Sequence, residues 1–162
     1  MDVRERGQEL GIEPPRAVVS LPAMSRLDEL VDAVRRERGD QAVEDARDLE
    51  GLMSTLTPEC VYELVQTGHR WEGHDGARRF YTELLTAFPD IVFSLTDIVI
   101  GPQGVCEEAN VTATQQAPWL GEGPVEGPLE WKVLIWFPWD PEQRLFRGER
   151  VYTFGIELPP AA

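Results

Sequence analysis

The chain has 162 residues, 42% of them hydrophobic, and its 29 Asp and Glu against 15 Lys and Arg give a formal net charge of −14. A chain of this size buries roughly 70% of its unfolded surface as one domain, and holds a core without disulfides or metal. The acidic balance argues against nucleic acid and anionic membranes as partners, because both carry the same sign of charge.

Residues 1–23 contain Pro14, Pro15 and Pro22 and no apolar period, which predicts a flexible or extended N-terminal arm ahead of a single domain over 24–158. Ser25 is a plausible N-cap for a first helix whose Leu27, Leu30, Val31 and Val34 share a face and which ends at Gly39. A second helix is expected from Asp40, with Ala42, Val43, Ala46, Leu49, Met53 and Leu56 inward, stopping at Pro58. Residues 60–66 read as a short strand, turning at Gly68 and returning through His69, Arg70 and Trp71. A third helix opens at Gly73-His74-Asp75, carries Ala77, Phe80, Tyr81, Leu84 and Leu85 on one stripe, and ends at Pro89.

From there the period changes to two, and 91–100, 105–116, 129–139 and 144–156 read as four strands joined by short glycine and proline breaks, hence as antiparallel neighbours. Helices first and strands last give an α+β domain, the helices packed on one face of a bent sheet. Cys60 and Cys106 have no metal or redox spacing and read as reduced, buried side chains. No run approaches the ~20 apolar residues of a membrane span, and the start MDVRERGQEL lacks a basic leader, so a cytoplasmic protein is expected.

Three stretches carry a family resemblance. Gly73-His74-Asp75-Gly76-Ala77-Arg78-Arg79-Phe80-Tyr81 with Ala87-Phe88-Pro89-Asp90, then Gly121, Pro124, Gly127 and Glu130, then Gly148-Glu149-Arg150-Val151-Tyr152, resemble the SnoaL-like polyketide cyclases of the nuclear transport factor 2-like superfamily. The resemblance spans roughly 40–154 and implies a cone: three N-terminal helices on a strongly curved, mostly antiparallel sheet. It also implies cofactor-independent chemistry on a polyketide-like or other apolar oxygenated metabolite. Two positions depart from the family pattern, with Gln115 where a histidine stands and Phe154 where an aspartate acts as acid or base.

An apolar cone raises carboxylate pKa values by desolvation, so pocket-facing acids are the natural proton-transfer groups. Glu63, Glu130 and Glu149 are the candidate acids, with Gln115, Arg150 and Tyr152 to orient or polarise a substrate oxygen; Glu130 reads alternatively as a rim residue paired with Lys132, and Arg150 as a side chain reaching solvent at the sheet edge. The position of the aspartate base in the related ketosteroid isomerases falls on Glu63 or Leu64, depending on one residue of register. Glu149 and Arg150 lie on opposite faces of the last strand, and Arg150 shares its face with Tyr152 and Phe154, the preferred inward side. Tyr62, His69, Phe80, Trp119, Trp131 and Phe154 are assigned to the pocket lining, Trp119 as a lid or as local loop packing. His69 and His74 are too few for a metal site unless carboxylates join them, and no cofactor is expected.

Trp131, Phe137 and Trp139 share one face of their strand, while Leu134 and Trp136 lie on the other. Both faces need cover, which predicts a homodimer through the sheet. Two functions remain open at this stage: a cyclase- or isomerase-like enzyme, and a non-catalytic small-molecule-binding or scaffold member.

Overall fold

The computed structural model describes residues 49–161. The expected arm over 1–23 and the first helix lie outside the described residues, as does most of the second helix. The described elements, in chain order, are α1 (Leu49–Met53), β1 (Leu56–Leu64), β2 (His69–Glu72), α2 (Gly73–Ala87), β3 (Val92–Gly101), β4 (Gly104–Thr114), β5 (Pro128–Asp140) and β6 (Leu145–Phe154).

α1 ends at Met53, five residues before the expected stop at Pro58. The exit lies at two hydroxyls: Ser54 Oγ donates to the Gly51 carbonyl and Thr55 Oγ1 to that of Leu52, occupying carbonyls that a further turn would have used. Leu56 is therefore a buried strand residue, and β1 begins four residues ahead of the expected Cys60. Pro58 is tolerated because it falls in the irregular stretch between the Leu56–Phe146 and Val61–Gly148 pairs, where no ladder donor is required.

α2 forms where its stripe predicts. Ala77, Phe80 and Ala87 are buried, Asp75 sits in the first turn, and the Phe88 amide closes the helix on the Leu84 carbonyl just before Pro89. The six strands form one sheet in the order β2-β1-β6-β5-β4-β3, antiparallel throughout except for the β1–β6 pair. A register shift in β3 and another between β5 and β6 bend the sheet around α2.

The second shift sets the interior. Residues 146 to 150 of β6 run against 136 to 139 of β5, so β6 carries one extra residue. Gly148 occupies the bulge with φ +106, and a Cβ there would stand 2.0 Å from the Val61 carbonyl oxygen. Only glycine combines that φ with that approach. Phe146 points inward before the bulge, and Glu149, Val151 and Thr153 point inward after it.

Candidate active site

Between α2 and the concave face of the sheet lies a cavity of about 580 Å³, within the range of small-molecule sites. β5 contributes Trp131, Val133, Ile135, Phe137 and Trp139 to its wall, the inward half of a strand apolar on both sides. α2 contributes Phe80, Tyr81 and Leu84, and the loop before β5 contributes Trp119.

Two carboxylates interrupt this apolar wall, Glu149 of β6 at 6% exposure and Glu107 of β4 at 8%. Glu107 occupies an inward position of β4 in register with Val105, Ala109, Val111 and Ala113, so strand alternation carries it inside. The Tyr81 hydroxyl, across from α2, donates to Glu149 Oε1. Tyr62 of β1 packs edge-on against Tyr81, with ring centroids 5.4 Å apart, and its hydroxyl also favours the Glu149 carboxylate. Burial is the dominant influence on Glu149, and together with the negative charge of Glu107 it outweighs the two tyrosine hydroxyls; the carboxyl is pushed up from 4.5 to about 7. A group half-protonated near neutrality can give or take a proton with little penalty, as general acid–base catalysis requires.

The other sequence candidates lie elsewhere. Arg150, Tyr152 and Phe154, expected inside, take the outer face, because the Gly148 bulge reverses the alternation that would have carried them inward from Phe146. Phe154 is 53% exposed. Arg150 donates from Nε to Glu63 Oε2 at 3.2 Å, so Glu63 too faces away from the cavity, and Leu64, the alternative register position, lines it. Glu130 is exposed, and Lys132 pairs with Glu108 of β4. Gln115 is buried but serves the loop, donating from Nε2 to the Ala117 carbonyl at 3.1 Å. His69 accompanies Thr67 at the β1–β2 turn and stacks on Trp71, outside the cavity wall.

Phe80, Trp119 and Trp131 do line the cavity, and Tyr62 lies behind the wall, fully buried. Trp119 is packed wall: it stacks on Trp71 at 6.4 Å and 11°, inside a small turn closed by reciprocal backbone bonds with Glu122. Sequence reasoning missed Glu107 and the polar role of Tyr81. The signal for Glu107 was available, as a lone carboxylate at the apolar parity of a strand. Tyr81 read as one more apolar position of its helix, and its hydroxyl shows a role only once β6 lies opposite. Among the described residues no group of His, Cys, Asp and Glu could hold a metal ion, and no helix is long and apolar enough to cross a membrane.

The sequence profile of the SnoaL-like domain matches residues 38–153. No curated protein matches the chain. Among solved structures, a protein from Jannaschia sp. CCS1 described as a SnoaL-like polyketide cyclase superposes with a TM-score of 0.63 at 19% identity, covering 87% of this chain and 91% of that one. IdmH of Streptomyces antibioticus, described as a polyketide cyclase, gives 0.58 at 18% identity over 76% and 90% of the two chains. AclR of Streptomyces galilaeus, described as a hydroxylase, gives 0.56 at 18% identity over 81% and 90%. At these identities the likeness shows a shared nuclear transport factor 2-like cone.

Proposed function

Because this chain belongs to the SnoaL-like domain family, we propose that its cone is the active site of a cofactor-independent enzyme working by acid–base chemistry on a small apolar oxygenated metabolite, polyketide-like in character. Glu149 is the proton-transfer group. The observation that carries this reading is a buried carboxyl, facing an apolar cavity, whose proton affinity is raised to about 7. As a carboxylate it takes a proton from carbon beside a carbonyl; as an acid it returns one to oxygen or to carbon. Tyr81 fixes the orientation of the carboxyl through its bond to Oε1, and the aromatic walls exclude water and hold the apolar body of the substrate.

The family pattern puts histidine and aspartate where this chain has Gln115 and Phe154, one tied into a loop and the other on the outer face. Glu149 therefore takes the role alone, and Glu63, Glu130, Arg150 and Tyr152 have no part in it. Those same two departures favour the second reading, a member that binds its small molecule without transforming it. The homodimer belongs to this proposal as well: Val99 at 65% exposure, Phe154 and the outward, half-buried Leu134 and Trp136 form an apolar strip among the ion pairs of the outer sheet face, and a second copy covers it.

The test is proton exchange at carbon. Aromatic cyclic ketones incubated with the protein in D₂O should lose the NMR signal of the proton beside the carbonyl, and Glu149→Gln should slow that loss by about 10²-fold or more. Ketones that shift the melting temperature without exchanging would establish the binding reading. Ketones that do neither would end both.

A further inference from the structure

We propose that the cone selects its ligand as a cation: an apolar amine whose ammonium group sits on the Glu149 carboxylate while its hydrocarbon body lies against the aromatic walls. The inference rests on the pocket reading above and names the charge class of what the pocket takes.

Four observations converge on this class. The wall is aromatic on several sides, with Trp119, Trp131, Phe137 and Trp139 among its members. Ring faces attract cations, most strongly where water is excluded. Both acidic groups of the wall, Glu149 and Glu107, are more than nine-tenths buried, and a buried carboxylate is most economically compensated by a hydrogen-bonded cation. The groups facing Glu149 are Tyr81 from α2, Tyr62 from β1 and Glu107 from β4, a set that contains no positive charge. Arg144 also lines the cavity, but at its β5–β6 hairpin end, roughly 15 Å from Glu149 along an extended strand. Finally, the net charge of −14 draws cations towards the protein and repels anions.

A neutral ketone leaves the shared burden of Glu107 and Glu149 unchanged, and Glu149 stays divided between its acid and carboxylate forms near neutrality. An ammonium ion takes that proton's place. The proton on the carboxyl leaves to solvent, an N–H of the ammonium donates to the carboxylate oxygen, and no bond to carbon is made or broken. Binding a cation thus holds Glu149 in its carboxylate form.

Three ligands with one hydrocarbon body separate charge from shape: 4-phenylbutylamine, 4-phenylbutan-1-ol and 4-phenylbutyrate, titrated calorimetrically into the full chain at about pH 8. The amine should bind at least about tenfold tighter than the alcohol, and the carboxylate weakest. Its affinity should fall about tenfold by pH 6, where the observed heat should vary with the buffer that takes up the released proton. Glu149→Gln should bring the amine down to the level of the alcohol measured in the same variant, and Glu107→Gln should narrow the gap. An amine no tighter than the alcohol, or an amine preference that survives in Glu149→Gln, overturns the cation inference and spares the pocket. Should none of the three bind, the pocket reading itself fails.

Discussion

Glu149 carries an energetic signature that can be read without knowing a substrate. Its folded-state pKa of about 7 lies above the ordinary 4.5, chiefly because burial disfavours the charged form. The native state therefore binds this proton more tightly than the unfolded chain does. Its stabilising contribution is full below about pH 4.5 and is lost as pH rises through 7. Glutamine has no proton to lose, so Glu149→Gln should gain on the wild type as pH rises, by roughly 2–3 kcal/mol between about pH 5 and pH 8 in urea unfolding. A pH-independent difference would mean that the carboxyl is not desolvated. Glu107 acts on the same group from β4, its charge adding to the rise. Glu107→Gln should accordingly move the Glu149 titration to lower pH, measured by carboxyl carbon NMR; an unmoved midpoint would separate the two acids electrically.

A single extra residue between β5 and β6 decides which side chains of β6 enter the cone. The bulge rests on Gly148, whose φ of +106 and close approach to the Val61 carbonyl leave no room for a side chain. Gly148→Ala should cost at least about 2 kcal/mol in urea unfolding, from backbone strain and the displaced β1–β6 contact together. A cost under about 0.5 kcal/mol would show that the bulge relaxes freely. The hairpin beyond it is held by Asp140, whose Oδ1 accepts from the amides of Glu142 and Gln143 and whose Oδ2 accepts from Arg147. The backbone amide of Gln143 is the leading influence keeping that carboxyl below its usual range. This anchor fixes where β6 begins, and the bulge then sets its facing.

Across the molecule, the sheet has two faces of different fate. The concave one is closed by α2 into the cavity, whereas the outer one presents Trp136, Leu134, Phe154 and Val99, interleaved with the Arg150–Glu63 and Lys132–Glu108 pairs. Exposed ion pairs of this kind contribute about 0–1 kcal/mol each and do little to screen the apolar strip. The proposed dimer should appear as a twofold mass in sedimentation equilibrium, and Trp136→Glu should reduce it to the monomer. A monomer at every concentration, or a dimer indifferent to that charge, would place the contact elsewhere.

Periodicity alone located α2 and the four C-terminal strands within a residue or two, since 3.6- and two-residue repeats are properties of the chain itself. Their antiparallel pairing followed from the short connections. The family pattern and the aromatic wall of β5 were equally legible. Which acid faces the cavity was not. Arg150 and Glu149 exchange places through one inserted residue, and the bulge is specified by the pairing of β6 with its hairpin neighbour β5 and with β1, a partner far away along the chain. Proton affinity belongs to the same class of property: Glu149 becomes unusual only when folding strips away its water and brings Tyr81, Tyr62 and Glu107 around it from three other elements.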